Sequence, residues 1–148
     1  MGYRFRETYT EFLQRREASI LRREVILPAD EKAPFLARSA LSRAIPPPEL
    51  GERHDYARLA LSEIATNAVR HAGLRDRDVV RMVIEADEDH VRIEVEQPTP
   101  AAEVRLVEPS IEGPDRVGGF GLHLVDQTAD QWGYEAGPPG RVWFEFRR

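Results

Sequence analysis

Two runs of alternating residues separated by three acids constrain this chain most. Residues 79–86 read VVRMVIEA and residues 90–97 read HVRIEVEQ, with Asp87, Glu88 and Asp89 between them. In the second run Val91, Ile93 and Val95 fall on one side, and Arg92, Glu94 and Glu96 on the other. That is the period of two that a strand imposes. So short an acidic connection between two such runs makes a hairpin. Its apolar face has to be packed on helices, and its charged face is left for solvent or a partner.

Two helices are available for that cover. Asp30 stands where a helix cap belongs and Pro34 fits the first turn, with Phe35, Leu36, Ala40, Leu41 and Ile45 as the expected buried face. Pro46, Pro47 and Pro48 end this helix, because proline has no N–H to continue it. A second helix runs from about Pro48 to Ala72, with Gly73 at the position of a left-handed C-cap. At 100° per residue, Tyr56, Leu59, Ala60, Ile64 and Ala68 gather on one side, and Arg58, Ser62, Ala65 and Val69 on the other. Glu63 and Asn67, one turn apart, fall inside the apolar stripe. A buried carboxylate is costly unless paired, so this pair is either bonded locally or kept for a ligand.

The other segments are simpler. Residues 1–23 are charged and form a candidate helical extension through Phe5, Tyr9, Phe12, Leu13 and Ile20. Val25–Leu27 is a short strand stopped by Pro28. Residues 98–117 hold four prolines and one glycine, lack periodicity and read as a long functional loop. Gly118, Gly119 and Gly121 then open a helix in which Leu122, Val125, Ala129 and Trp132 recur at helical spacing. The final GRVWFEF run is a core strand through Val142, Phe144 and Phe146.

Composition narrows the function classes. With 148 residues, 41% hydrophobic and 32% charged, the chain is the size of one ordinary domain with a real core. A net charge of −5 argues against general nucleic-acid binding. The absence of cysteine excludes disulfides and thiolate metal sites, and the four histidines lack ligand spacing. No apolar run is long enough to span a membrane and no signal-peptide core opens the sequence, so the expected location is cytoplasmic.

Glycines opening a helix let backbone N–H groups approach phosphate oxygens. The Gly118–Gly121 cluster is neither a P-loop nor a dinucleotide fingerprint, since it lacks the GxxxxGK[ST] pattern and follows a loop. Asn67 offers an amide oxygen suited to Mg²⁺, and Glu63 could take a proton from an attacking hydroxyl or water.

The order of an E-x-x-x-N helix (SEIATNAVRHA), strand hairpin, long loop, G-x-G-L helix (GGFGLHLVDQTADQWG) and closing GRVWFEF strand resembles the GHKL ATPase superfamily. Within it, the chain is similar to the bacterial anti-sigma-factor serine kinases. The resemblance covers residues 24–148, read as an ATP-binding domain behind the 1–23 extension. It implies an α+β two-layer sandwich, the Bergerat fold, with a mostly antiparallel mixed sheet and helices on one face. It also implies ATP and Mg²⁺ as cofactors, Asn67 as the Mg²⁺ ligand and Glu63 as catalytic base. Gln97, Gly118, Gly119, Gly121 and Leu122 become nucleotide contacts. The implied partners are a sigma factor and a STAS-domain antagonist phosphorylated on serine or threonine, with a homodimer as the expected assembly and Arg38 on a partner-facing surface.

One position departs from that pattern. The family normally ends the second hairpin strand with an aspartate that accepts a hydrogen bond from the adenine amino group, and here the residue is Gln97. By parity Gln97 shares the face of Val91, Ile93 and Val95, so Glu96 cannot replace it without a bulge. The alternative reading is therefore a non-catalytic module that sequesters its partner and has weakened or lost nucleotide binding. A histidine-kinase catalytic domain is disfavoured, because no helical phosphoacceptor domain accompanies the motifs.

Overall fold

The computed structural model describes residues 20–71, 74, 75, 77–99 and 125–148, together with Gln14. Five strands and two long helices build the described fold: β1 (Leu21–Pro28), α1 (Ala33–Ala44), α2 (Glu52–His71), β2 (Val79–Ala86), β3 (His90–Gln97), β4 (Gln131–Glu135) and β5 (Gly140–Arg147). The sheet order is β1-β2-β3-β5-β4 and each described pairing is antiparallel. This is an α+β sandwich, as expected, and no parallel pair occurs among the described strands.

The β2–β3 hairpin has the expected bounds, and Asp87 shapes its turn by accepting from the Asp89 and His90 N–H groups at 2.8 and 2.7 Å. Alternation then divides the sheet. Leu27, Met82, Ile84, Val91, Ile93, Phe144 and Phe146 point to one face, where they are buried with Ala33, Ala37 and Leu41 of α1 and Ala57, Leu61, Ile64, Ala65 and Ala68 of α2. Small residues on the helices let the backbones lie close to the bulky strand residues.

Three expectations are corrected here. On α1 the buried stripe is Ala33, Ala37 and Leu41, continued by Ile45, whereas Phe35 is 63% exposed and Leu36 lies on the surface too. The 3.6-residue period selects the alanines, and the size of Phe35 suggested the wrong face. Asp30 does hold the entry turn, accepting from Lys32 N at 2.8 Å, with Pro34 in the first turn. The strand expected at Val25–Leu27 is longer and begins at Leu21, since Arg22–Glu85 and Arg81–Glu24 side-chain bonds extend its pairing with β2.

The third correction is at the chain's end. Residues 125–128 are helical, but Trp132 belongs to β4, a strand that helical spacing concealed. Trp132 is fully buried on the helix side, and its Nε1 donates to Asp126 at 3.0 Å. Trp143 is buried as well, but on the opposite face under the Arg92 guanidinium, 3.9 Å from the ring centre.

That opposite face carries two transverse charge ladders. One row reads Arg22, Glu85, Arg92, Glu145 and Gln131 across the strands; a second reads Arg81, Glu96, Arg141 and Glu135. Between them lies a row of Glu24, Val83, Glu94, Trp143 and Gly133. Ion pairs tie the rows: Arg81 to Glu24 at 2.6 Å, Arg141 to Glu94 at 3.8 Å and Arg92 to Glu94 at 3.6 Å. Arg92 thus covers Trp143, which is buried, as is Val83 in the same row.

Candidate functional site

Between α1 and α2, Pro47–Glu49 form a 3₁₀ turn, and Gly51 adopts a positive φ of 59° before α2 starts. That left-handed conformation costs glycine nothing and other residues a steric clash. Glu49 then pairs with Arg148, and Arg53 with Asp130 at 3.8 Å. Both bonds fasten the start of α2 to the end of the sheet where β3 begins and β5 finishes. His54, fully buried, bonds the Ile45 carbonyl at 3.1 Å and closes the helical hairpin.

From that anchor the 20-residue α2 is about 30 Å long, and the eight residues of β3 span about 27 Å. Glu63 and Asn67 sit in the second half of α2, and Gln97 is the last residue of β3.

The face of α2 that is buried differs in part from the expected one. The buried stripe is His54, Ala57, Ala60, Leu61, Ile64, Ala65 and Ala68, so Ala60, Ile64 and Ala68 are buried as expected. Tyr56 and Leu59 are 41% and 49% exposed. Ala65, assigned by sequence to the polar side, is fully buried. Glu63 and Asn67 lie beside Tyr56 and Leu59, off the core and half-buried.

Half-burial still perturbs Glu63. Its Oε2 is shut off from solvent and has no hydrogen-bond partner among the described residues. Desolvation pushes the Glu63 carboxyl above its ordinary value, and the Arg70 charge pulls it partly back. Arg70, exposed two turns on from Glu63 and three residues after Asn67, puts a cation on the same face. The i, i+4, i+7 spacing of Glu63, Asn67 and Arg70 carries this signal in the sequence itself.

Gln97 ends β3 half-buried, on the core-facing parity of Val91, Ile93 and Val95. Opposite it on β5 is Gly140, which brings no side chain. The Gln97 Nε2 donates to Thr99 Oγ1 at 3.4 Å, and Thr99 O accepts from Gly140 N at 3.0 Å, so Thr99 is a neighbour that sequence reasoning missed. Glu96 points the other way, bonded by Arg141, as parity required.

The sequence model of one family, described as the histidine kinase-like ATPase domain, matches residues 28–143. The chain belongs to that family. For a histidine kinase-like ATPase domain, ATP is the implied ligand, and the donor set here is chemically suited to it. Asn67 supplies a hard neutral oxygen of the kind Mg²⁺ accepts, and Glu63 a carboxyl lifted by burial. The remaining expected contacts of this ATPase domain, Gly118, Gly119, Gly121 and Leu122, lie outside the described residues, as do most of residues 1–23 and the Gly73 cap. A comparison with curated proteins finds no match. No described helix is long and apolar enough to cross a membrane. Arg38, expected on a partner surface, donates to Ser62 Oγ at 2.6 Å and links α1 to α2.

Proposed function

We propose that this ATPase domain is a regulator of the anti-sigma type, which binds Mg·ATP and phosphorylates a serine or threonine of a STAS-domain antagonist. The observation carrying this reading is the Glu63 carboxyl: partly desolvated, lifted by that burial, and one helical turn from Asn67. In the proposed reaction Glu63 takes the proton of the substrate hydroxyl as its oxygen bonds to the γ-phosphorus. The bond from that phosphorus to the β-phosphate oxygen breaks, and ADP leaves. Asn67 would hold Mg²⁺, which when bound neutralises phosphate charge. Gln97 would meet the base, while Gly118, Gly119, Gly121 and Leu122 would border the phosphates. A sigma factor is the proposed second partner, engaged by a homodimer in the cytoplasm.

The test is calorimetric titration with Mg·ATP. Micromolar binding that weakens about tenfold or more in Asn67→Ala supports the reading, given that one charge-assisted contact contributes about 1.5–3 kcal/mol. Binding unchanged in Asn67→Ala would remove that residue from the site.

Gln97 favours a second reading, a partner-sequestering module without catalysis. A neutral amide makes a weaker bond to an adenine amino group than a carboxylate, by about 1 kcal/mol or somewhat more. On the kinase reading Gln97→Asp tightens ATP by about tenfold. An absence of ATP binding by the native chain at millimolar concentration would favour the module instead.

A further inference from the structure

The face of the sheet turned away from α1 and α2 is not uniformly open. In the row nearest the start of β1, Glu85, Arg92, Gln131 and Glu145 are between 1% and 8% exposed. In the row nearest the end of β3, the side chains of Arg81, Glu96, Arg141 and Glu135 are between 17% and 60% exposed. Both rows alternate arginine with glutamate, so residue type does not explain the difference. The edge strand β4 makes it plainest, with Gln131 at 6% and Glu135 at 60%. A side chain standing on a bare sheet face presents its end to water. Something therefore lies over the first row and over Val83 and Trp143 beside it. Arg22, on the outer edge, stays 37% exposed, so the cover begins inward of it.

The chain itself enters at that end. Ile20 N donates to Ala86 O at 2.9 Å, so residues 1–19 join the sheet next to the covered row. The segment after Thr99 leaves beside the exposed row, where Thr99 O accepts from Gly140 N. A helix of 19 residues is about 28 Å long, and the four steps across five strands are about 19 Å. Residues 1–19 can thus cross the whole sheet. Gln14 is helical and exposed. At 100° per residue, Phe5, Tyr9 and Phe12 fall within about 40° of the side opposite Gln14. Charge also suits the pairing: the three rows carry six glutamates and four arginines, and residues 1–19 four arginines and three glutamates.

We propose that this chain's own residues 1–19 dock across the outer face of the sheet, with Phe5, Tyr9 and Phe12 set on Val83 and Trp143. The face is then an internal docking site and not a free surface for a partner. This inference is independent of the nucleotide reading.

The experiment is hydrogen exchange and acrylamide quenching on the full chain and on its Phe5→Ser, Tyr9→Ser, Phe12→Ser triple variant. Amides of residues 1–19 are expected to exchange at least about tenfold more slowly in the native chain than in the variant. The variant's tryptophan emission is expected to shift to the red and become more quenchable, because Trp143 loses its cover while Trp132 stays in the core. A helix that formed without docking would change exchange and leave the emission alone, so unchanged emission overturns the inference. Fast exchange throughout residues 1–19 of the native chain overturns it too, whether or not the variant folds. Protection that fades on dilution, as a dimer seen by light scattering comes apart, would place the segment on a second copy and overturn docking within one chain.

Discussion

Glu63 shows how one carboxyl can carry both a cost to the fold and a chemical use. Burial raises its proton affinity, so the folded chain holds this proton more tightly than the unfolded one. A carboxyl shifted upward costs no stability below its unfolded value, and that cost grows as pH rises through the folded value. Glu63→Gln should therefore raise Tm at neutral pH, with the gain fading in acid, as thermal melts across pH would record. The same substitution should abolish phosphoryl transfer while sparing ATP affinity; transfer at the native rate would remove Glu63 from the role of base. On the kinase reading, the acid limb of the transfer-rate profile should lie above the ordinary carboxylate range. The pairing of Glu63 with Asn67 was legible in the sequence, since i and i+4 share a helix face whatever that face packs against. Their degree of burial was not legible, because it depends on which residues the rest of the fold brings over them.

At the level of elements, the helices were readable in extent and partly in direction. Leu41, Ile45, Ala60, Ile64 and Ala68 are buried as the period requires, whereas the large Phe35, Tyr56 and Leu59 at the margins are exposed and alanines complete the cover of the sheet. Leu41→Ala should cost about 2–5 kcal/mol by chemical denaturation, as expected for a fully buried leucine. Phe35→Ser should stay within about 0.5 kcal/mol of the native chain. The β2–β3 hairpin was legible residue by residue because both its alternation and its turn are local. The strand β4 was not, since Trp132 and Ala129 fit a helical spacing equally well until β5 pairs with Trp132. Its Gly133 shows what that pairing demands: a Cβ there would stand 2.8 Å from the Trp143 ring. The ring is buried beneath Arg92 and cannot swing away cheaply, so Gly133→Ala should destabilise by about 1–3 kcal/mol in the same assay.

For the whole molecule, binding and folding are linked. Mg·ATP at about a hundredfold its Kd should stabilise the native chain by about 2.7 kcal/mol. Asn67→Ala should lose most of that rise in Tm at the same nucleotide concentration; an equal rise would point to a site elsewhere. The overall plan of two layers followed from one amphipathic hairpin, whereas the strand order required contacts between residues far apart in sequence. The two charge ladders bear on how that order is reached. Sliding β1, β2, β3 and β5 by one two-residue step preserves which side chains face the core, so hydrophobicity alone does not forbid it. In one direction, however, the step would set Glu24 against Glu85, Glu85 against Glu94, and Glu94 against Glu145, given the native pairings. Like charges directly opposite one another destabilise a sheet. The surface lattice thus acts as a spelling check on the assembly: a misaligned sheet would be penalised at three successive seams, where the native one is rewarded.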